Sequence, residues 1–279
     1  MMGSMAAFTV NDALVKVVGQ DLPLFQLVTM RGVLATVLVL IMARYLGALH
    51  LNFPLHDKWL IALRCLAELA ATIFFLTALM HMPLANVTAV LQALPLTVTL
   101  GAALFFGEVI GWRRIAAIAL GFVGMLLIVR PGPEGFSIYA IYALIAVASV
   151  TVRDLITRRM SAEVPSMVVT LATSLTITLA AIIVSTFEGW VPVSTASGAM
   201  IASAAVFVLI GYLFSVMVMR VGEVGFVAPF RYSSLLWALG LGWAVFGDWP
   251  DAITMLGGAL VVGAGMFTLF RERSRQAEK

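Results

Sequence analysis

The sequence is built from long apolar stretches separated by short polar connections, and this pattern occurs ten times. A helix needs ~20 mostly apolar residues to cross a bilayer core ~30 Å thick. The stretches have about that length, and they lack the alternating pattern of transmembrane β-strands. We therefore predict an all-α integral membrane protein with ten transmembrane helices. The predicted spans are 5–20, 24–46, 58–80, 84–107, 112–130, 136–157, 165–187, 198–219, 224–246 and 251–270.

Proline and glycine mark the connections, because neither continues a helix well. The cluster at 131–135 divides the chain almost in half, with five predicted spans on each side. Because five is odd, two related halves, 1–130 and 136–279, must be inverted relative to each other. A weak internal repeat supports this: Phe106-Gly107-Glu108 ends the fourth span and Phe246-Gly247-Asp248 ends the ninth. Inverted repeats of this kind are typical of secondary transporters.

The composition agrees with lipid as the solvent, since 62% of the residues are hydrophobic and 11% are charged, against about 25% charged in soluble domains. The basic residues fall mostly in alternate connections and in the C-terminal tail, which predicts that these parts face the cytoplasm. They are Arg44, Lys58, Arg113, Arg114, Arg158, Arg159, Arg220, Arg271, Arg273, Arg275 and Lys279. Arg130 alone lies on the opposite side. We predict a bacterial inner-membrane protein with both termini in the cytoplasm.

Several functional classes are disfavoured by what the sequence lacks. It contains no GxxxxGK[ST] phosphate loop and no HExxH or GxSxG motif, which argues against ATP-driven transport and against the corresponding enzymes. Cys65 is the single cysteine, so no intramolecular disulfide is possible. The basic residues decorate helix ends and form no patch for nucleic acid. We expect no catalytic residues, no metal site and no cofactor.

Several segments together resemble the EamA branch of the drug/metabolite transporter superfamily. They are Asn11-Asp12-Ala13-Leu14-Val15-Lys16, Arg31-Gly32, Gly107-Glu108 and Gly121-Phe122-Val123-Gly124. The resemblance covers essentially the whole chain and implies two inverted bundles of five helices in an inner-membrane carrier. The opening segment from Ala6 to Lys16 is similar to a riboflavin-transporter-like branch of this family. In the second half the pattern departs by having Asp248 in place of Glu.

Charged residues inside the predicted spans are the candidates for function, because a charge in a bilayer needs a partner or a role. Asp12 and Lys16 lie four residues apart in the first span and share a helix face. They form either a structural ion pair or part of a site for substrate or a proton, and Asn11 fits both alternatives. These residues also interrupt the apolar stretch, so we expect no cleavable signal peptide here.

The third span repeats this spacing with Arg64 and Glu68. Arg64 lies nearer the cytoplasmic end and is expected to extend its charge to the membrane surface. Glu68 lies near mid-span, where either pairing with Arg64 or exchange of a proton during transport would account for it. Arg153 and Asp154 are expected to be interfacial charges or a gating pair.

Arg31 and Arg231 have no acidic residue four positions away, so each needs a partner on another helix, a substrate anion or water. Arg231 follows Pro229, and with Tyr232 and Trp237 it offers a cation and aromatic faces to a ligand. The alternative for Arg231 is capping of a neighbouring helix.

Gln92 and Pro95 mark the fourth span as kinked and lined with polar groups. The spacings Ala117/Gly121 and Ala259/Gly263 favour close packing within the molecule over a dimer contact.

These features predict a secondary transporter of a small polar or amphipathic metabolite, such as an amino acid or a vitamin-like compound. Alternating access is the predicted mechanism, and proton coupling through Glu68 or Asp12 is a hypothesis. The alternatives are a membrane enzyme acting on a lipid or isoprenoid substrate, and a channel. The expected partners are the substrate, protons and the lipid bilayer, with the protein either a monomer or a homodimer.

Overall fold

The computed structural model describes residues 1–47, 49, 53–107, 111–130, 137–161, 163–221 and 228–277. This part of the chain is helical and contains no strand. The helices are α1 Met2–Val18, α2 Leu24–Tyr45, α3 Leu55–His81, α4 Leu84–Leu91, α5 Leu94–Phe106, α6 Trp112–Val129, α7 Ile138–Arg159, α8 Ser166–Ser185, α9 Thr195–Val221, the 3-10 helix Ala228–Tyr232, α10 Ser233–Phe246 and α11 Ala252–Ala277.

Eight helical stretches in the described ranges are long and apolar enough to cross a membrane, so the protein is an all-helical, multi-pass membrane protein. They correspond to the predicted second to eighth spans and to the tenth. Helix α1 has 17 residues and α10 has 14, which makes both shorter than the other spans. Residues 222–227, where the predicted ninth span begins, lie outside the described residues.

Proline starts four of the helices. Pro23, Pro54, Pro83 and Pro165 directly precede α2, α3, α4 and α8. The first amides of a helix have no partner within the helix, so a residue without N–H is tolerated at its start. Glycine ends two others, since Gly107 and Gly247 follow α5 and α10 with φ of 68° and 69°. These left-handed conformations favour glycine because it has no Cβ.

The predicted fourth span is two helices, α4 and α5, separated at Gln92 and Ala93. Pro95 lies in the first turn of α5 and has no N–H to donate to Leu91, so the α-helical hydrogen bonding is interrupted there. The expected kink is thus a break in the helix. The predicted ninth span is also irregular, because the 3-10 helix Ala228–Tyr232 precedes α10.

The most extensive helix contacts join the two halves of the chain. Helix α3 packs on α7, α1 on α9, α2 on α8, and α6 on α11. The halves also share a register: Thr195 lies 140 positions after Leu55, and both helices that begin there have 27 residues. Phe246 and Ala252 follow Phe106 and Trp112 by the same interval.

Apolar side chains fill the interior from both halves. One core contains Val90, Leu96 and Ile128 together with Val147 and Val261. A second core joins α1, α2 and α3 to α9 and α10. Large apolar side chains also cover the outside, as expected for lipid contact, among them Leu104, Phe105 and Ile183, which are 72%, 69% and 62% exposed.

Arg130, the exception to the charge asymmetry, has a partner. Its guanidinium Nη2 donates to Oδ2 of Asp251, which lies just before α11. The backbone N–H of Thr254 donates to the other oxygen of Asp251 at 2.8 Å. The Thr254 amide and the Arg130 guanidinium hold the pKa of Asp251 below its usual range. Arg130 is therefore part of the connection between the ends of α6 and α11.

Helices α6 and α11 approach each other through glycine. A Cβ on Gly124 would lie 2.6 Å from the carbonyl oxygen of Gly257, and a Cβ on Gly257 would lie 2.6 Å from that of Gly124. Gly121 packs equally closely on Leu96 of α5. Packing within the molecule is therefore observed for the Ala117/Gly121 pair.

The same prediction is wrong for the second pair. Ala259 and Gly263 are exposed, and a Cβ on Gly263 would have no neighbour within 4 Å. Helix α11 presents Gly257 and Val261 to α6 instead.

We predict that Gly124→Val lowers the thermal stability of the purified protein by several degrees. The added side chain must push two backbones apart, and overpacking of this kind costs about 1–3 kcal/mol. Gly263→Val introduces the same side chain on the exposed face of α11 and should leave the melting temperature nearly unchanged. Tryptophan-fluorescence melting in detergent measures both variants. Equal melting temperatures for the two would contradict the close contact.

Candidate functional site

Asn11 joins the charges of α1 and α2. Nη1 of Arg31 donates to Oδ1 of Asn11 at 3.0 Å, and Nδ2 of Asn11 donates to Oδ1 of Asp12 at 2.9 Å. Asn11 is only 3% exposed, and its two neighbours are half-buried. The partner of Arg31 is thus the neutral amide of Asn11. This amide binds the Arg31 guanidinium through its oxygen and the Asp12 carboxylate through its nitrogen.

A narrow gap with no room for a water molecule lies beside Arg31, between α1, α2 and α9. Arg31 is the charged residue of its wall, and the other residues are apolar: Leu14, Val15, Val18, Leu27, Met200, Ile201 and Ala204. Because α9 belongs to the second half, this space lies between the halves. A half-buried cation among apolar side chains suits a ligand with an acidic or polar group and an apolar body.

Lys16 makes a different set of contacts from the one predicted. Its ammonium donates to the carbonyl oxygens of Leu79, at 3.0 Å, and Met82, and lies 5.4 Å from the ring centroid of Phe246. The considered ion pair with Asp12 is absent from the ion pairs of the described residues. Lys16 instead ties α1 to the end of α3 and to α10.

Glu68 pairs with Arg153 of α7 and not with Arg64. Nη1 of Arg153 donates to Oε2 of Glu68 at 2.7 Å. The same guanidinium binds Oδ1 of Asp154, with 2.9 Å to Nε and 2.8 Å to Nη2. The side chains of Arg153 and Glu68 are 22% and 20% exposed, so the pair is largely withdrawn from the surface. Arg153 and Asp154 were expected to be interfacial charges or a gating pair, and Glu68 was not among the predicted partners of Arg153. Arg153 lies six residues before the end of α7, inside the predicted span.

Arg64 is buried, contrary to the expectation that it extends to the membrane surface. Its Nε donates to Oγ1 of Thr157 at 3.1 Å, and its Nη1 to Oγ1 of Thr173 at 2.6 Å. It therefore connects α3 with α7 and α8 through neutral hydroxyl groups. Neither threonine is distinguishable from other helical threonines in the sequence.

Gln92 lies at the break between α4 and α5 and contacts the second half there. Its Nε2 donates to Oγ of Ser234 at 2.7 Å and to the carbonyl oxygen of Thr88 at 3.2 Å. Ser234 lies in the first turn of α10, two positions after the 3-10 helix, so this bond joins the irregular parts of the two halves. Ser234 was not predicted.

The predicted group of Arg231, Tyr232 and Trp237 does not form one site. Tyr232 is buried, with no hydrogen-bond partner for its hydroxyl among the described residues. Arg231 is exposed, and Trp237 is 42% exposed. The reason is helical geometry, since side chains adjacent in sequence point in different directions. No group of three His, Cys, Asp or Glu side chains within the described ranges is arranged to hold a metal.

Comparison with known proteins shows the same organisation in two parts. The profile of the EamA-like transporter family matches residues 1–130 and again residues 137–270. A solved crystal structure superimposes with a TM-score of 0.65 and 21% identity, covering 100% of this chain and 98% of that chain. This similarity shows a shared fold and carries no information on function.

Three curated relatives align over most of their length. A pseudopaline exporter of Pseudomonas aeruginosa is 27% identical over 92% of this chain and 90% of its own. An S-adenosylmethionine uptake transporter of Rickettsia prowazekii is 23% identical, covering 99% and 93%. A riboflavin transporter of Rhizobium johnstonii is 26% identical, covering 83% and 75%.

The family profile accounts for both halves of the chain, and each of the three relatives is named for the transport of a small molecule. The protein belongs to the EamA-like transporter family and is a membrane transporter of small metabolites rather than an enzyme.

Proposed function

We propose that this protein is an inner-membrane secondary transporter that works by alternating access between two inverted five-helix repeats, 1–130 and 136–279. The ten spans are α1, α2, α3, α4 with α5, α6, α7, α8, α9, the 3-10 helix with α10, and α11. The positively charged connections support an orientation with both termini in the cytoplasm. The ends of α1 and α3 near Val18 and His81 then face outward.

The helix contacts support the repeat. Exchanging the halves converts the contact of α1 with α9 into the contact of α7 with α3, and both are extensive. The contacts of α2 with α8 and of α6 with α11 are converted into themselves. The interval of 140 positions that relates α3 to α9, α5 to α10 and α6 to α11, and the glycine at the ends of α5 and α10, agree with this exchange. An odd number of spans in each half makes the repeats inverted.

The substrate is a small polar or amphipathic metabolite, and the Arg31–Asn11–Asp12 chain beside the space between the halves is the observation that carries this proposal. The relatives are named as a pseudopaline exporter, an S-adenosylmethionine uptake transporter and a riboflavin transporter, which agrees with an amino acid or vitamin-like substrate. They do not share one direction of transport.

The substrate can be sought by stability screening of the purified protein. A ligand that binds only the folded state raises the apparent melting temperature, so amino acids, riboflavin and S-adenosylmethionine are suitable first probes. A stabilising compound is then tested for saturable counterflow in proteoliposomes. Flux that increases without saturation would indicate a channel and overturn the carrier mechanism.

We predict that Arg31→Gln raises the KM for counterflow about tenfold or more. A hydrogen bond to a charged group contributes about 1.5–3 kcal/mol, and 1.4 kcal/mol corresponds to a factor of ten. Arg231→Gln removes the same charge at an exposed position and serves as the matched control. An unchanged KM for Arg31→Gln, or an equal increase in both variants, would exclude Arg31 from the substrate site.

We also predict that Asp12→Asn removes proton movement but retains substrate exchange. Asp12 is held by a neutral amide, whereas Glu68 is engaged by Arg153, so Asp12 takes up a proton without breaking an ion pair. A pH-sensitive dye inside proteoliposomes reports proton movement, and labelled substrate reports exchange. Proton flux that persists in both Asp12→Asn and Glu68→Gln would remove both carboxylates from this role.

A further inference from the structure

A polar cluster between α3, α7 and α8 contains two arginines and two carboxylates that can pair in more than one way. Arg153 binds two carboxylates, Glu68 of α3 and Asp154 of its own helix. Glu68 in turn lies four residues after Arg64, which places both on one face of α3 within reach of each other. Arg64 is presently bonded to Thr157 and Thr173.

Arg153 and Glu68, which pair between the helices, therefore each have an oppositely charged residue on their own helix as well. If α3 moves away from α7, Arg153 keeps Asp154, and Glu68 can turn to Arg64. Thr157 and Thr173 would not be left without a hydrogen-bond partner by this change. Oγ1 of Thr157 already donates to the carbonyl oxygen of Arg153 at 2.7 Å, and that of Thr173 to Val169 at 2.8 Å, so they lose only a bond that they accept.

We propose that Arg64, Glu68, Arg153 and Asp154 form a latch that closes the cytoplasmic side by exchange of ion pairs. In the closed arrangement, Arg153 of α7 holds Glu68 of α3. In the open arrangement, each helix keeps its own pair, Arg153 with Asp154 and Arg64 with Glu68. The inference rests on the proposed alternating-access function and deepens it, because it names the contact that opens.

The exchange matters because a simple ion pair would oppose opening. Breaking a buried pair leaves two uncompensated charges, which is strongly unfavourable in a low-dielectric interior. A second partner on the same helix removes most of that penalty. The position also fits a latch, because Arg153 lies six residues before the end of α7, about 9 Å along the helix axis at 1.5 Å per residue.

The protein carries its own reporter for this movement. Cys65 is the single cysteine, is 4% exposed, and its Sγ lies 3.6 Å from Oγ1 of Thr173 of α8. It follows Arg64 directly and packs with Ile61 and Val169. Separation of α3 from α7 and α8 should expose it, so the rate of its reaction with N-ethylmaleimide measures how often the latch opens.

The experiment compares two substitutions that remove one carboxylate each from the full-length protein in detergent. Glu68→Gln removes the bond between the helices, and we expect Cys65 to react several-fold faster than in the wild type. Asp154→Asn removes the second partner of Arg153, so opening would leave that guanidinium unpaired. We expect Cys65 in this variant to react several-fold more slowly than in the wild type.

The opposite directions distinguish a latch from a structural ion pair. An Asp154→Asn rate equal to or above that of the wild type overturns the exchange, and a Glu68→Gln rate that does not rise overturns the latch itself. Arg130→Gln breaks the ion pair at the other end of the bundle and should leave the rate unchanged, while Cys65→Ser should not react. Tryptophan-fluorescence melting verifies that each variant is folded.

The outcome is separable from that of the proposed function. Alkylation rates report opening without any substrate, whereas counterflow reports transport. Predicted alkylation rates without counterflow by any probe would retain the latch and reject the carrier mechanism. Saturable counterflow together with unaltered alkylation rates would retain the carrier mechanism and reject the latch.

Discussion

The structure depends on one constraint of the bilayer: a polar group within the hydrocarbon region must find its partner in the protein, because water is absent there. The cations inside the spans illustrate this. Arg31 donates to an amide, Lys16 to backbone carbonyls, Arg64 to hydroxyl groups and Arg153 to carboxylates. In three of these cases the acceptor belongs to a different helix that is not the next one along the chain. The search for partners therefore selects which helices become neighbours.

These contacts explain why the two halves interlock and do not fold as separate bundles. The link from Glu68 to Arg153 and the link from Gln92 to Ser234 both cross between halves. Close packing reinforces them at Gly124 and Gly257, where two backbones touch. Lipid gives no hydrophobic drive for helices to associate, so close packing and hydrogen bonds must supply the association. Polar residues that are costly in lipid thus become the specific contacts of the assembly.

Much of the fold is predictable from the sequence, because span length and proline position act locally. Apolar length identifies the eight helical stretches of the described residues that can cross a membrane, and the helix break at Gln92 follows from Pro95. Partners are less predictable. Arg153 is 85 positions from Glu68, and spans that are apolar on all sides have no periodicity to show which face meets which neighbour. For that reason the pairs Asp12–Lys16 and Arg64–Glu68, inferred from local spacing, do not form. Lys16, Arg64 and Glu68 bind distant residues, and Asp12 accepts from its neighbour Asn11.

The local spacing nevertheless has a physical consequence. In both α1 and α3 a cation and a carboxylate lie four residues apart, and in both helices each charge is bound elsewhere. The order of the two charges differs between the helices: Asp12 precedes Lys16, whereas Arg64 precedes Glu68. An acidic residue four positions before a basic one pairs better than the reverse order. Glu68 follows Arg64, so their local pairing is the weaker one, which favours the bond of Glu68 to Arg153. A local pair that is available but weak is what an exchanging contact requires, because a strong local pair would hold the helices permanently apart.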